Sequence, residues 1–164
     1  MFKSGLVYVR ICPLKKRKHC SIMVISEETS RNKQHIVAMD ALYDILTYQD
    51  MGEEIDVEDI VSGLCETPYE DAPIYVKSII LATLRHLNEE IALLEGNMIR
   101  WKFNRLNRVE QAILLLSLSH FFYVEPEIDK GIVINVAVNL AKNYLDAKDY
   151  RFVNAILDKV LVRE

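Results

Sequence analysis

The pattern of hydrophobic and polar positions changes character near residue 30. From there on, apolar residues recur at the i, i+3, i+4 spacing that gives a helix one apolar stripe. Thr29 or Ser30 can cap the start of the first such segment with a hydroxyl group, and Gly52 lies soon after its end. The pattern predicts a first helix with the stripe Ile36, Val37, Ala41, Leu42, Ile45 and Leu46.

Two further helices are predicted in the middle of the chain. A short one covers 57–64 and stops before Thr67-Pro68. A longer one follows Pro73, keeps its apolar stripe from Val76 to Leu94, and ends at Gly96-Asn97. The segment 98–104 contains the only tryptophan, Trp101, and predicts a turn or helix lead whose side chains pack.

The last third of the chain predicts three more helices. Asn107 and Glu110 have capping-box spacing, and the helix that they begin is apolar enough to lie at the centre of the domain. The other two helices begin near Lys130 and near Asp149. With no strand-period segment after residue 22, the chain predicts an all-α, compact, bundle-like domain of six or seven helices.

Residues 1–22 read as a basic N-terminal tail. A β-leaning stretch, Leu6 to Cys12, is followed by the cationic tetrad 15–18, and neither has helical periodicity. One interpretation is a miscalled start, with translation beginning at Met23. The other is a basic arm that contacts nucleic acid. In either case, the helical domain is expected within residues 23–164.

Charge limits the kinds of partner. The formal net charge is −4, and because residues 1–22 carry six cations and no acid, residues 23–164 carry −10. An acidic body is poorly suited to sequence-independent binding of a phosphate backbone. Any contact with RNA must therefore be local.

Composition indicates a soluble cytoplasmic protein. The longest apolar runs, such as 74–87, are interrupted by Lys77 and Arg85 and fall short of the ~20 residues of a membrane span. The N-terminus lacks the order of charges of a secretory signal. The three cysteines, Cys12, Cys20 and Cys65, form no CxxC pair, so we expect reduced thiols and neither disulfides nor zinc.

No catalytic constellation is found in the sequence. It has no phosphate-binding glycine loop and no HExxH or GxSxG motif. His120, Trp101 and Tyr144 are interpreted as packing residues, and acid pairs such as Glu89-Glu90 as solvated charges. The sequence therefore predicts neither an enzyme nor a cofactor or metal site.

Three blocks in the last third resemble the NusB family of bacterial transcription antitermination factors. They are 107–114 (NRVEQAIL), 132–142 (IVINVAVNLAK) and 151–159 (RFVNAILDK), and Ala41-Leu42-Tyr43 matches the family's A-L-Y. The resemblance implies a NusB-like helical fold and a non-enzymatic RNA-binding adaptor. Such an adaptor binds boxA-type RNA with a small-subunit ribosomal protein, within the RNA polymerase antitermination complex that transcribes ribosomal RNA.

The resemblance also implies two RNA-binding places. The first is the family's arginine-rich start of the first helix, which is thinned here to Arg31, Lys33 and His35. Each lost phosphate contact is expected to weaken binding and to flatten its salt dependence by about one unit of slope.

The second place is the polar loop and helix start at 147–152. Lys148 and Arg151 could hold phosphate, and Tyr150 or Phe152 could stack on an unpaired base. The alternative is that Phe152 belongs to the core and the two cations only solvate a helix start. Asn135 and Asn154 match family asparagines and are interpreted as structural amides.

Two other functions stay open. The same domain occurs as the front part of ribosomal RNA cytosine methyltransferases, although no cofactor loop is found here. A diverged protein-interaction module that has lost RNA binding would also fit the acidic body and the thinned cations. The family includes monomers and dimers, so an exposed apolar face could serve a homodimer or the ribosomal partner.

Overall fold

The computed structural model describes residues 30–99 and 101–163. The basic tail, the proposed start at Met23, Thr29, Cys12 and Cys20 lie outside these residues. Within them the chain forms six α-helices and no strand, which confirms the all-α prediction. The helices are α1 Arg31–Met51, α2 Val57–Cys65, α3 Ile74–Asn97, α4 Arg108–Ser119, α5 Lys130–Tyr144 and α6 Ala147–Val160.

The helix α4 lies at the centre of the domain, as its apolar sequence predicts. Every residue from Glu110 to Ser119 is buried. The helices α1 and α3 pack on α4 and on each other, the pair α5 and α6 packs on it as well, and α2 lies against α1. A helix that is apolar on all sides needs such complete coverage to exclude water.

The beginning of α4 has the predicted capping box. The Asn107 side chain accepts a hydrogen bond from the Val109 amide at 2.9 Å, and the Glu110 carboxylate accepts one from the Asn107 amide at 2.9 Å. The start of α1 differs from the prediction, because Ser30 is the N-cap residue but its side chain makes no capping hydrogen bond. Gly52 ends α1 in the left-handed conformation, with φ 70°, which glycine adopts without a steric cost.

A π turn, His120–Val124, continues α4 beyond Ser119. Its closing hydrogen bond runs from the Glu125 amide to the His120 carbonyl at 3.0 Å. His120 points into the core and is almost fully buried, which confirms the prediction of a packing histidine. The turn leads the chain to Glu125, next to the beginning of α1.

Several other predictions of burial were wrong. Trp101 is 55% exposed, because the neighbouring Phe103 fills the core position of that segment, and Tyr144 is 47% exposed at the end of α5. Glu90 is buried rather than solvated. Asn135 and Asn154 are exposed and form no hydrogen bond with another described residue.

The start of α6 also differs from the prediction. Residues 147–152, interpreted as a loop and helix start, all lie inside the helix, which begins at Ala147 after an extended Leu145 and Asp146. Because side chains three or four residues apart share a face of a helix, this spacing determines which of the side chains at 147–152 lie together.

Within the described ranges, no helix is long and apolar enough to cross a bilayer. The same residues contain no group of three or more potential metal ligands.

Candidate nucleic-acid interface

The side chain of Arg31 is held at the N-terminus of α1 by two partners. Its Nη2 lies 3.3 Å from Oε1 of Glu125, and its guanidinium lies over the ring of Tyr75 at 4.3 Å from the centroid. About half of the Arg31 side chain remains exposed. The amide groups at the start of a helix favour an anion at the same place. This arrangement offers a fixed cation for a phosphate, with Glu125 occupying part of the position.

Below Arg31 lies a buried cluster of three rings. Tyr75 donates or accepts a hydrogen bond at 3.2 Å from Nδ1 of His120, and His35 meets both rings at centroid distances of 5.2 and 5.7 Å. Burial, followed by the nearby charges of His120 and Arg31, lowers the pKa of His35 to about 4. Both histidines are therefore neutral packing groups at pH 7 that support the Arg31 position.

Of the three residues that the resemblance places at this helix start, the structure presents two at the surface. Arg31 and Lys33 are exposed. His35 is only 4% exposed, so its ring is not offered to a ligand on the outer surface. The reason is helical geometry, since positions 34 and 35 turn toward the core and 31 to 33 precede the buried stripe.

The candidate residues of α6 divide into two sets. Tyr150 is half-buried and lies against α5, with Nζ of Lys142 at 5.5 Å from its ring centroid. Lys148 and Phe152 are four residues apart on one face and line a different groove. Arg151 is exposed between the two sets.

The groove at Lys148 and Phe152 has a volume of about 240 Å³. Its other walls include the exposed Trp101 and Arg105. Phe152 is half-buried: one part of its ring packs against the core, and the rest is accessible in the groove. The acidic residues Glu110 and Asp149 line the groove as well and offset the two cations. The two aromatic rings are suited to stacking on a base, whereas the lining as a whole has no excess of positive charge for a phosphate.

A second groove, of about 300 Å³, lies between α1 and α5. Four exposed asparagines surround it, Asn32 from α1 and Asn135, Asn139 and Asn143 from α5. His35 also lines this groove from the side of the core. The groove extends from Asn32, next to Arg31, to Asn143 near the C-terminus of α5.

Sequence reasoning missed two features of this surface. Trp101 and Arg105 were not associated with Lys148, because the two segments are more than forty residues apart in the sequence. The asparagine groove left a readable signal, since Asn135, Asn139 and Asn143 follow one another at intervals of four and so share a helix face. Family matching drew attention to only the first of them.

Comparisons with known proteins agree with this architecture. A model of the NusB family matches residues 32–162. The chain is 36% identical over 90 residues to the transcription antitermination protein NusB of Finegoldia magna, an alignment that covers 55% of this chain and 65% of that protein. It is 29% identical over 133 residues to the protein of that name from Macrococcus caseolyticus, covering 80% of this chain and 96% of the relative. The chain thus spans just under two thirds of the first relative and nearly all of the second.

Solved structures share the same fold. NusB of T. maritima matches with a TM-score of 0.66 and 25% identity, over 81% of this chain and 91% of that one. A crystal structure of the antitermination factors NusB and NusE in complex with dsRNA matches with a TM-score of 0.65 and 24% identity, over 80% of this chain and 95% of that one. The second likeness, at this identity, is evidence of the fold alone.

Proposed function

Because this chain belongs to the NusB family, we propose that it is a transcription antitermination factor that supports ribosomal RNA transcription. In this proposal it binds boxA-type RNA together with a small-subunit ribosomal protein, as part of the RNA polymerase antitermination complex in the cytoplasm. The observation that carries the proposal is the family match over 32–162, which includes all six helices except for Arg31. We assign it no catalytic role.

The proposed RNA contacts lie at two helix beginnings. Arg31 and Lys33 at the start of α1, and Lys148 and Arg151 at the start of α6, contact phosphates. The helix termini add the favourable field of their free amide groups. Tyr150 and Phe152 stack on unpaired bases. His35 supports the site from inside, since its ring is buried.

Affinity is expected to be shared with the ribosomal protein. Residues 23–164 carry a formal charge of −10, which opposes RNA away from the cationic positions. A partner that brings its own cations and binds at the same time raises the effective concentration of the RNA site. The exposed apolar residues of the domain, such as Ile132 and Leu81, offer area for this partner or for a second copy.

A titration of labelled boxA-type RNA tests the proposal. We expect the full chain to bind in a salt-sensitive manner, more tightly when it is premixed with the ribosomal protein, as measured by fluorescence anisotropy at two salt concentrations. The double variants Arg31→Gln/Lys33→Gln and Lys148→Gln/Arg151→Gln should each reduce the slope of log K against log salt by about 2 units, one for each lost phosphate contact.

Lys159→Gln is the matched control. Lys159 is an exposed lysine in the last turn of α6, about 16 Å along the axis from Lys148, and its loss should leave the slope nearly unchanged. Absence of binding by the folded full chain in both mixtures would rule out RNA recognition and favour the protein-interaction module. Binding that neither double variant weakens would reject the assignment of these four cations.

A further inference from the structure

The groove between α1 and α5 is surrounded by amides that have no hydrogen-bond partner among the described residues. Asn135, Asn139 and Asn143 succeed one another along one face of α5, and Asn32 lies opposite on α1. Among residues 30–99 and 101–163, none of these four side chains makes a hydrogen bond to another group. By contrast, Asn97 at the end of α3 bonds back to the Leu93 carbonyl.

Helix stability does not explain the asparagines of α5. Asparagine is less favourable than alanine in a helix interior, where Asn135 and Asn139 lie. A back-bond to the helix would offset part of this cost, but none is present at these positions. The three asparagines therefore do not stabilise α5, and they make the groove polar.

The lining of the groove is free of charge. Ile36, Val136 and Leu140 form its apolar part, and the asparagine amides form its polar part. His35 is neutral at pH 7, and its Nε2 is buried without a hydrogen-bond partner. Such a lining gives a phosphate no counter-charge, whereas it suits a planar, uncharged ligand with donors and acceptors along its edge.

One end of the groove lies beside the proposed phosphate contacts of α1, and the other end lies near the C-terminus of α5. Asn32 stands beside Arg31 and Lys33 at one end, and Asn143 stands beside Lys142 at the other, where Lys142 approaches the Tyr150 ring. Its volume of about 300 Å³ is at the lower end of the range for small-molecule pockets. An RNA strand held at Arg31 and Lys33 therefore has the groove next to it.

We propose that this groove reads one unpaired nucleobase of the bound RNA, with the base lying on the apolar part and its edge hydrogen-bonded by the asparagine amides. The inference rests on the RNA binding proposed above and adds the source of its base specificity. An amide presents a donor and an acceptor side by side, which allows a bidentate contact with a base edge. The cations supply affinity, and the asparagines supply discrimination.

The test is a base-substitution scan with the double variant Asn139→Ala/Asn143→Ala. The full chain, premixed with the ribosomal protein, is titrated with boxA-type RNA and with RNAs in which each position is replaced in turn. For the unmodified chain we expect at least one position with about tenfold discrimination between bases. The variant should lose most of this discrimination at that position and keep the same salt slope.

Asn88→Ala/Asn104→Ala is the matched control. Both residues are exposed asparagines without a hydrogen bond to another described residue, and they line a separate groove formed by α1, α3, the segment before α4 and the start of α4. Their removal should change neither discrimination nor affinity. Circular dichroism verifies that the variants are folded, which is expected because alanine favours helix.

The outcomes separate the two proposals. If the unmodified chain binds RNA with discrimination that the groove variant fully retains, the base-reading groove is rejected while antitermination stands. If the variant loses the ribosomal protein but keeps its RNA preference, the groove binds protein and the inference is equally rejected. No RNA binding by the unmodified chain overturns the proposed function itself.

Discussion

Glu90 is a carboxylic acid inside the helical core, with only 2% of its surface exposed. Its Oε1 lies 2.6 Å from the Ser119 hydroxyl, which lies 2.6 Å from the Thr83 hydroxyl, and Thr83 donates to the Ile79 carbonyl at 2.9 Å. Each hydroxyl has a single proton to donate. A protonated Glu90 supplies the proton that lets all three contacts be hydrogen bonds at once.

Burial agrees with this proton count. It raises the pKa of Glu90 to about 8, although in the ionised form a hydrogen bond donated by the Ser119 hydroxyl to the carboxylate lowers the pKa in part. The unfolded chain has the ordinary value of 4.5. The stabilising effect of the folded state's higher pKa is therefore complete below pH 4.5 and is lost as the pH rises toward 8.

We predict that Glu90→Gln removes this pH dependence. The unfolding free energy of the unmodified chain should fall by up to about 1.4 kcal/mol per pH unit between these values, relative to the variant, whose amide stays neutral. Urea unfolding followed by circular dichroism from pH 5 to pH 9 measures the difference. Glu127→Gln, which removes an exposed acid that does not affect the Glu90 pKa, is the control, and parallel profiles for all three proteins would contradict the prediction.

The Glu90 position also shows what residue-level reasoning can predict. Thr83, Leu87, Glu90 and Leu94 follow one another at intervals of three and four, so the periodicity of α3 does place Glu90 on the buried stripe. The pairing with Glu89 led to the opposite interpretation. Whether a buried acid is stable depends on Ser119, which comes from another helix and is not visible in a local pattern.

At the scale of single helices, the N-terminus of α4 at Asn107 can be compared with that of α1 at Ser30. Both residues are N-caps with polar side chains, but only Asn107 makes the capping hydrogen bond. We predict that Asn107→Ala lowers the unfolding free energy by about 1 kcal/mol and that Ser30→Ala changes it by only a few tenths. Equal effects in urea titrations of the two variants would show that the capping bond contributes little.

The sequence predicted most helix ends, but it did not predict which surface side chains share a face. The ends at Gly52 and Asn97 and the start at Arg108 agree with the sequence because glycine, proline and capping residues mark them locally. The early start of α6 is marked in the sequence only by Asp146, a residue type that is favoured at the N-cap but whose side chain makes no capping bond here. Tyr150 and Phe152 lie on different faces because α6 begins at Ala147. Their separation was therefore not predicted from the sequence.

At the scale of the whole molecule, one hydrophobic core unites the helices. The buried apolar residues of all six helices form a single cluster, and α4 contacts four of the other five. We predict a single unfolding transition, with calorimetric and van't Hoff enthalpies that agree. Leu116→Ala in α4 should lower the unfolding free energy by about 2–5 kcal/mol without dividing that transition. Two separate transitions would show that a pair such as α5 and α6 unfolds independently.

The fold class was predictable at this scale because the helical period persists over nearly the whole of residues 30–161. The interface was predictable only as two isolated segments. The groove beside the first of them requires the packing of α1 on α5, a contact between residues more than one hundred positions apart. Long-range pairing of this kind leaves no local signal in one sequence.

The π turn at 120–124 has a consequence for how this chain can change in length. A π turn closes its hydrogen bonds over five residues instead of four, so it holds one residue more than an α-helical turn. Loss of one codon there would let the segment close as a regular α-helical turn, and Glu125 would keep nearly the same angular position beside Arg31. The π turn is thus a place where the chain can lose one residue and still retain the ion pair at the start of α1.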